Sequence, residues 1–404
     1  MGFYTSPSFF ACLAVLAVPA AVLGLTGRSL RGYGFAASCA MLVLMFSASV
    51  EQLAFFVGYV ALASAATWAT YASFTRGGRS MAVYRASLAL TIAPLAIYKV
   101  TLACTPQGVM GFVGISYITF KAVQVVVEIR DGLITRINAL DYLYFLTFFA
   151  TFTSGPIDRS RRFERDAHRR LSRDAYADLL AHGILWLAVG AVMQLVMASV
   201  LSNFMDASPA VGLPTLDALS MPHALRATAR AYCYGLYLFF DFAGYSYMAM
   251  GASAVLGIGT PRNFRAPFAA TDLKDFWNRW HITLSTWLRD FVFMRVTRGL
   301  MKRRVFRGKQ ARLHTACAGF MANMLLMGAW HGLTPSYLAY GLYHGLLLAA
   351  TEVYQKRCPF HKRHTREGLY IAVSRFVTLQ LVIFGFALFS GQVQTILERM
   401  MLHG

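Results

Sequence analysis

The sequence predicts an all-α membrane protein that crosses the bilayer many times, and two properties of the whole chain predict it. First, 57% of the 404 residues are hydrophobic and only 14% are charged, with a mean hydropathy of +0.50, which exceeds what a soluble domain needs to fill its core. Second, apolar runs of about 20 residues recur from end to end, each long enough to cross a hydrocarbon layer as a helix. The chain lacks the short alternating segments typical of a membrane barrel.

The predicted spans follow one another along the whole chain. The first apolar run has no Lys or Arg before it, so we expect a permanent span rather than a cleaved signal peptide. The six Cys residues show no CxxC pair and no metal-ligand spacing, so no metal site is expected. Without an internal repeat or a linker, we expect a single membrane-embedded domain over residues 1–404. The candidate spans lie near residues 7–26, 34–49, 52–74, 86–104, 109–127, 179–203, 230–256, 314–333, 336–354 and 370–391.

The net charge of +20 is concentrated in alternate loops. Lys and Arg accumulate in the cytoplasmic loops of polytopic proteins. The loops around residue 51, at 105–108 and at 206–223 contain neither, which predicts that these loops and the N-terminus lie outside. Part of the basic inner surface is available to attract an acidic partner. The basic segments predicted inside are residues 28–31, 76–85, 130–136, 159–173, 262–312 and 355–367.

The apolar run at residues 139–155 breaks this alternation, because it lies between two basic segments that both belong inside. A re-entrant segment fits better than a simple crossing. Irregular backbone at membrane depth is tolerated only where protein or a water-filled cavity surrounds it, so this segment is expected to line a cavity. The alternative is two short helices that lie on the membrane.

Residues 275–290 read DFWNRWHITLSTWLRD, in the most basic part of the chain. Placed on a helix at about 100° per residue, the three Trp residues share a narrow apolar stripe and His281 falls on a polar stripe. Asp275 and Arg279 are spaced for an ion pair. We therefore predict one amphipathic helix at the membrane interface, where Trp is well accommodated. In a purely structural interpretation, His281 is an incidental polar residue of this helix.

A second histidine, His331, lies near the outer end of a predicted span, within MGAWHGLTPSYLAYGLYHG (327–345). Ionisable side chains inside spans are costly and by default indicate a functional site. A histidine that only packs between helices is the alternative. His344, in the following predicted span, is a weaker candidate on the same grounds.

Five stretches, in this order along the chain, carry a resemblance to a known family. They are GISYITFKAVQVVVEIRDG (114–132), FFATFTSGPIDRSRRF (148–163), YGLYLFFDFAGYSYMAMG (234–251), TPRNFRAPFAATDLKDFWNRWHITLSTWLRDFVFMR (260–295) and MGAWHGLTPSYLAYGLYHG (327–345). The chain from about residue 114 onward resembles the membrane-bound O-acyltransferases, and within them the branch that transfers D-alanyl groups. The preceding residues match only in hydropathy.

The resemblance implies a multi-pass enzyme of the bacterial cytoplasmic membrane, folded as a ring of about 11 tilted transmembrane helices. Re-entrant and short interfacial helices would surround a central tunnel. It implies that a D-alanyl group passes from a phosphopantetheine thioester on an acidic carrier protein, in the cytoplasm, to hydroxyl groups of a teichoic-acid-type polymer outside. It implies no permanently bound cofactor, and no nucleic acid is expected as a partner. Besides this polymer, another envelope glycan is a possible acceptor, and membrane lipid surrounds the protein.

The resemblance also assigns roles to residues. His331 matches the family's intramembrane histidine and His281 its second polar position. An alcohol must lose its proton as it attacks a thioester, a task for an imidazole with an ordinary pKa of about 6.5, so His331 is expected to be the general base. His281 is expected to hold the donor or to stabilise the oxyanion. Further substrate, tunnel or oxyanion candidates are Asn278, Trp280, Ser285, Arg289, Asp241, Tyr245 and Ser154, and the candidate carrier-docking surface is Arg298, Lys302, Arg303 and Arg304.

Three alternatives remain open. Asp241 is expected either to orient a histidine or the acceptor, or to pair with Arg or Lys as a structural bridge. The chain as a whole could be an O-acetyltransferase of an envelope polysaccharide, as in the alginate branch of the same family. A proton-coupled transporter, with histidines that relay protons, is the alternative from another class.

Overall fold

The computed structural model describes residues 4–105, 108–205 and 215–403. Within these ranges the chain is helical and contains no strand, which confirms the all-α prediction. The predicted outer loops at 105–108 and 206–223 lie partly outside the described residues. The α-helices are α1 (Pro7–Leu25), α2 (Arg31–Phe46), α3 (Val50–Thr75), α4 (Met81–Cys104), α5 (Ile115–Arg130), α6 (Ala139–Thr147), α7 (Ser160–His168), α8 (Arg173–Ala191), α9 (Ser199–Met205), α10 (His223–Val255), α11 (Leu273–Trp277), α12 (Ile282–Leu288), α13 (Met294–Lys302), α14 (Ala311–His331), α15 (Pro335–Arg357), α16 (Pro359–His364), α17 (Gly368–Phe389) and α18 (Gln392–His403).

Five helices of the described residues are long and apolar enough to cross a membrane. Four of them are α1, α3, α4 and α17, and the fifth is a continuous helix of 33 residues, Arg173–Met205, in which a π-helical turn joins α8 to α9. With 33, 21 and 23 residues, α10, α14 and α15 are as long but less apolar. The multi-pass prediction is therefore confirmed, and the count of 11 and the central tunnel stay predictions.

The chain divides into two compact units, and the expectation of a single domain stays a prediction. The first unit comprises residues 1–192 and 244–262, and α5 lies at its centre with 14 of its 16 residues buried. The helices α3, α4 and α6 pack against it. Gly114 begins α5 at a φ of +89°, and a Cβ atom there would lie 2.5 Å from the ring of Phe152. Only glycine allows this backbone conformation and this close approach together.

Residues 139–155 belong to the first unit and begin with α6, which has nine residues. At about 1.5 Å per residue, nine helical residues are too short to cross a bilayer, so the prediction that this segment makes no simple crossing is confirmed. A 3-10 turn, Phe149–Thr151, follows and is buried. The ammonium group of Lys121 on α5 donates hydrogen bonds to the Phe145 carbonyl (3.0 Å) and the Thr151 hydroxyl (3.3 Å). This buried lysine ties the segment to the unit's central helix.

The second unit comprises residues 193–243 and 263–404. Within this unit, α14 and α15 pack closely against each other. A Cβ atom added to Gly328 would lie only 2.5 Å from the carbonyl oxygen of Tyr337. A Cβ atom on Gly341 would likewise lie 2.6 Å from the Met324 carbonyl. Two glycines therefore let these backbones touch, as small residues do in membrane helix packing. The contact fixes the end of α14, where His331 lies.

The prediction of one amphipathic helix over residues 275–290 is wrong. Helix α11 ends at Trp277 and α12 begins at Ile282. The backbone N–H of Arg265 donates to the Arg279 carbonyl (3.0 Å), and that of Ile282 donates to the Asn263 carbonyl (2.9 Å). These bonds to a neighbouring loop replace the helical bonds that the Arg279 carbonyl and the Ile282 N–H would otherwise form.

The interfacial position predicted for the three Trp residues is also wrong. Trp277, Trp280 and Trp287 are only 6%, 4% and 5% exposed, because they pack inside the second unit. Trp280 stacks on Phe276 with ring centroids 5.6 Å apart. Large rings stabilise a core by the apolar area that they bury, so this stripe holds the broken segment in place.

Candidate active site

His281 lies at the break between α11 and α12 and has three unusual properties. Its backbone adopts a φ of +43°, a left-handed conformation that non-glycine residues rarely take and that concentrates at functional sites. Its side chain is buried, 4% exposed, and neither ring nitrogen has a hydrogen-bond partner among the described residues. Buried polar atoms are nearly always paired, so this imidazole has two atoms available to a substrate.

The electrostatics of His281 favour its neutral form. Burial lowers the pKa of His281 well below its ordinary value, and positive charge on His331 would lower that pKa further. The nearest aromatic neighbour is Phe242, whose ring centroid lies 4.6 Å away in an edge-to-face arrangement. A neutral imidazole carries one N–H donor and one acceptor nitrogen.

His331 is the last residue of α14 and is half-buried. Its ring packs edge to face against Phe389 of α17, with centroids 4.9 Å apart, and stacks near Tyr337 of α15 at 5.9 Å. Three helices therefore fix its position. Because its charge affects the pKa of His281, the two imidazoles lie within electrostatic range of each other inside the second unit. Both histidines that the sequence singled out thus lie in the second unit.

The other candidates near His281 differ in their surroundings. Asn278 is exposed, whereas Trp280 is buried as part of the aromatic core. The Ser285 hydroxyl donates to the Trp280 carbonyl at 3.3 Å, which occupies its proton. The guanidinium of Arg289 is 59% exposed and pairs with its neighbour Asp290 at 2.9 Å. The predicted ion pair between Asp275 and Arg279 is confirmed, with 2.7 Å between Oδ1 and Nε.

Asp241 lies on α10 within the second unit. Its carboxylate accepts a hydrogen bond from the side-chain amide of Gln194, with 3.0 Å between Nε2 and Oδ1. Among the described residues no Arg or Lys forms an ion pair with it, and the structural-bridge alternative stays a prediction. An amide satisfies one carboxylate oxygen and leaves the charge in place. Orientation of a histidine or of the acceptor by Asp241 stays a prediction.

Tyr245 and Ser154 meet in the first unit. The backbone N–H of Ser154 donates to the Tyr245 hydroxyl at 3.1 Å, and that hydroxyl also bonds to Thr153 Oγ1 at 2.7 Å. Tyr245 thereby anchors the end of segment 139–155. A substrate role of Tyr245 and Ser154 stays a prediction.

The candidate carrier-docking residues lie at and just after the end of α13. Helix α13 ends at Lys302, and Arg303 and Arg304 form the turn that follows. All four candidates are exposed, and none of them pairs with a carboxylate of the described residues. Their charge is therefore available to an acidic surface. The four are Arg298, Lys302, Arg303 and Arg304.

His344 is a buried histidine of the second unit without a hydrogen-bond partner among the described residues. It is completely buried on α15, and neither ring nitrogen has a partner among the described residues. Tyr340 contacts both histidines, with its ring centroid 4.6 Å from that of His344 and 6.5 Å from that of His331. A Cβ atom at Gly385 would lie 2.5 Å from His344 Nε2, so α17 packs directly on the imidazole.

The sequence analysis did not identify Lys121 as a functional or structural residue, although a lysine inside the apolar stretch YITFKAVQ indicates a buried charge.

The sequence also predicted no metal site. In the first unit, however, Asp141, Glu164 and His168 each place a possible ligand atom within 4.8 Å of the others. Asp141 already binds His168 at 2.9 Å and the Arg31 guanidinium at 2.5 Å. These contacts satisfy the carboxylate without an ion, and the absence of a metal stays a prediction.

Comparison with known proteins places this geometry in a family. The model of the membrane-bound O-acyltransferase family matches residues 86–389. The protein named Teichoic acid D-alanyltransferase of Bacillus subtilis (strain 168) is 34% identical over 96% of this chain and 98% of its own. The protein of the same name of Streptococcus thermophilus (strain ATCC BAA-250 / LMG 18311) is 37% identical over 75% of this chain and 74% of its own.

A more distant similarity concerns the protein named Probable alginate O-acetylase AlgI of Pseudomonas aeruginosa, 29% identical over 59% of this chain and 42% of its own. All three relatives are bacterial, which together with the five apolar helices indicates a multi-pass protein of the bacterial cytoplasmic membrane. The family match spans both His281 and His331. This chain belongs to the membrane-bound O-acyltransferase family.

Proposed function

We propose that the chain transfers a D-alanyl group from a carrier-protein thioester to hydroxyl groups of a teichoic-acid-type polymer outside the membrane. The observation that carries this proposal is the 34% identity to a Teichoic acid D-alanyltransferase over 96% of one chain and 98% of the other. The pairing of His281 and His331 within one compact unit supports it, because acyl transfer to an alcohol needs a base and a group that stabilises the oxyanion.

His331 acts as the general base. It accepts the proton of the acceptor hydroxyl as that oxygen attacks the thioester carbonyl, and a tetrahedral oxyanion forms. When the oxyanion collapses, the C–S bond breaks, an ester C–O bond remains, and the proton passes from His331 to the departing thiolate. A positioned general base contributes about 10² to 10⁴-fold. The half-buried position of His331 allows both acceptor and thiolate to reach it.

His281 stabilises the oxyanion or holds the donor. Burial keeps its imidazole neutral, so one ring nitrogen carries a proton that it can donate to the thioester carbonyl oxygen. No described residue competes for that N–H, since both ring nitrogens lack a partner. A preorganised donor of this kind is worth about 10² to 10³-fold in rate. The left-handed backbone at His281 fixes the direction of the ring.

The donor arrives on an acidic carrier protein that bears phosphopantetheine, and no cofactor stays bound. The exposed residues of the carrier-docking surface, without carboxylate partners, attract such a carrier and raise its rate of association. Mutation of residues at the rim of this surface is expected to change the association rate and its salt dependence. An acceptor of the polyol-phosphate class fits the name Teichoic acid D-alanyltransferase that the two relatives share.

A second candidate is polysaccharide O-acetylation, favoured by the similarity to the Probable alginate O-acetylase of Pseudomonas aeruginosa. That similarity covers only 59% of this chain and 42% of the relative, so D-alanyl transfer is the better supported reaction. The transporter alternative is wrong, because the chain belongs to an acyltransferase family.

The distinguishing experiment uses the full chain in proteoliposomes. We would supply a carrier protein charged with radiolabelled D-alanine or with a radiolabelled acetyl group, and offer lipoteichoic acid or alginate as acceptor. D-Alanyl label in lipoteichoic acid, with little acetyl label in alginate, is the expected result. Acetyl transfer without D-alanyl transfer would contradict the proposal.

A further inference from the structure

A cavity in the first unit lies far in sequence from both histidines and has no role in the proposed reaction. It is formed where α1 ends, where α2 and α8 begin and where α7 ends. Its polar lining consists of Arg28, Arg31, Tyr144, Asp166, Arg169 and Tyr176. The basic loops at 28–31 and 159–173 carry the three arginines, and both are predicted to be cytoplasmic. The cavity therefore faces the inner leaflet.

The charges of this cavity do not cancel. Arg31 pairs with Asp141 at 2.5 Å, and Asp166 pairs with Arg162 at 2.9 Å, so those two members are internally compensated. The guanidinium groups of Arg28 and Arg169 form no ion pair or hydrogen bond with any described residue. Two guanidinium groups thus remain to bind an anion, and guanidinium is the side chain best suited to phosphate.

A buried hydroxyl lines the same cavity. Tyr144 is only 1% exposed, and its hydroxyl has no hydrogen-bond partner among the described residues. An unpaired hydroxyl in an apolar environment costs about 1–3 kcal/mol, which a bound acceptor atom would recover. A phosphate oxygen is such an acceptor. Gly34 allows the ring to lie there, because a Cβ atom would be 2.1 Å from the hydroxyl.

Two spanning helices lead away from the cavity and contact each other, α1 from its C-terminal end and α8 from its N-terminal end. Both expose apolar side chains along their length, as lipid-facing helices do. Those on α1 are Val15 (71% exposed), Val18 (65%) and Val22 (59%), and those on α8 include Ile184 (59%) and Leu185 (56%). A molecule with a phosphate group in the cavity and acyl chains along these helices would bind both the basic cavity lining and the exposed apolar side chains.

We propose that this cavity binds the phosphate headgroup of an anionic phospholipid from the cytoplasmic leaflet, through Arg28, Arg169 and the Tyr144 hydroxyl. The charge of the headgroup offsets the two unpaired arginines, and the acyl chains lie along α1 and α8. A free phosphate would use the same polar groups and would leave the apolar surfaces without a role. The proposal is independent of the proposed acyl transfer.

The test is native mass spectrometry of the full chain in detergent, titrated with phosphatidylglycerol, phosphatidylcholine or glycerol 3-phosphate. We expect selective binding of phosphatidylglycerol. The double variant Arg28→Gln/Arg169→Gln should weaken that binding by about 100-fold, and Tyr144→Phe by about fivefold, in line with the usual worth of charged and neutral hydrogen bonds. A matched control is Arg76→Gln/Arg85→Gln, which removes the same charge from exposed arginines elsewhere.

Each outcome has a consequence. Loss of phosphatidylglycerol binding in the cavity double variant, with binding retained in the control, supports the proposal. Equal losses in both double variants would show an unspecific charge effect and overturn it. Equal binding of phosphatidylcholine, or binding of glycerol 3-phosphate in place of the lipid, would also overturn it. A thermal unfolding curve for each variant separates lost binding from lost folding. We expect wild-type midpoints for the arginine variants and an unchanged or raised midpoint for Tyr144→Phe.

Discussion

The two compact units differ in how their buried Lys, Asp and His side chains are paired, and the difference separates structural groups from groups available for catalysis. In the first unit, Lys121 donates to two oxygens and Asp158 accepts from the Arg162 guanidinium at 2.7 Å, although both side chains are only 2% exposed. In the second unit, His281 and His344 are as deeply buried and have no partner for either ring nitrogen. Satisfied groups stabilise the native structure, whereas unsatisfied ones reduce stability and stay available to a substrate.

Among the changes that test this comparison, the largest expected effect concerns catalysis at His281. Asparagine tolerates the left-handed backbone of this position, so His281→Asn removes the imidazole without adding strain. We expect D-alanyl transfer to fall by about 10² to 10³-fold, with a thermal midpoint close to that of the wild type, because one unpaired buried polar group replaces another. Radiolabel transfer and thermal unfolding in nanodiscs measure the two effects. Retained transfer would show that His281 is only a buried core residue.

The next effect concerns stability at Asp158. Asp158→Asn removes the more deeply buried of the two carboxylates that pair with Arg162, so we expect the free energy of unfolding to fall by about 2 kcal/mol, as for a lost charged hydrogen bond. Transfer per folded molecule should stay near the wild-type value. Glu164→Gln on the same helix as Arg162 is the control, because Glu164 is exposed and forms no ion pair among the described residues. Equal thermal midpoints for the two variants would contradict the structural role of Asp158.

His344 tests whether every unpaired buried histidine is catalytic. The ring of Tyr340 contacts both His344 and His331, so we expect His344 to act on the reaction indirectly and His344→Phe to slow transfer less than about tenfold. Replacing a buried polar ring by an apolar ring of similar shape is close to neutral for stability. Measured beside His281→Asn in the same assay, a loss of equal size would mean that His344 belongs to the reaction path.

The smallest effect is a pH dependence of stability. Burial lowers the pKa of His281 in the folded state, so below about pH 6.5 the unfolded chain binds a proton that the folded chain rejects. Stability is therefore fully present above that pH and is lost as the pH falls, by at most about 1.4 kcal/mol per pH unit. Unfolding curves at pH 7.5 and 5.5 should show a larger loss for the wild type than for His281→Asn. Equal losses would contradict a buried neutral imidazole.

Local sequence patterns predicted some of the helices and one ion pair, whereas features that depend on contacts between distant residues could not be predicted. Hydropathy predicted the spanning helices α1, α3 and α4, and spacing predicted the ion pair of Asp275 and Arg279. The break before His281 depends on backbone bonds to residues 263–265, which no helical periodicity contains. Likewise, the burial of the Trp stripe depends on partners such as Phe386 from a distant helix. Sequence therefore identified the two histidines, and the loop contact that fixes His281 required the structure.

The central claim is that His331 is the general base, and its most direct test is transfer from a D-alanyl-charged carrier by wild type and His331→Ala in proteoliposomes. We expect the rate to fall by about 10² to 10⁴-fold while the Kd for the carrier stays unchanged, since the carrier-docking surface is intact. Partial recovery of the rate on addition of free imidazole would strengthen the assignment. A His331→Ala protein that transfers D-alanine at the wild-type rate would contradict it.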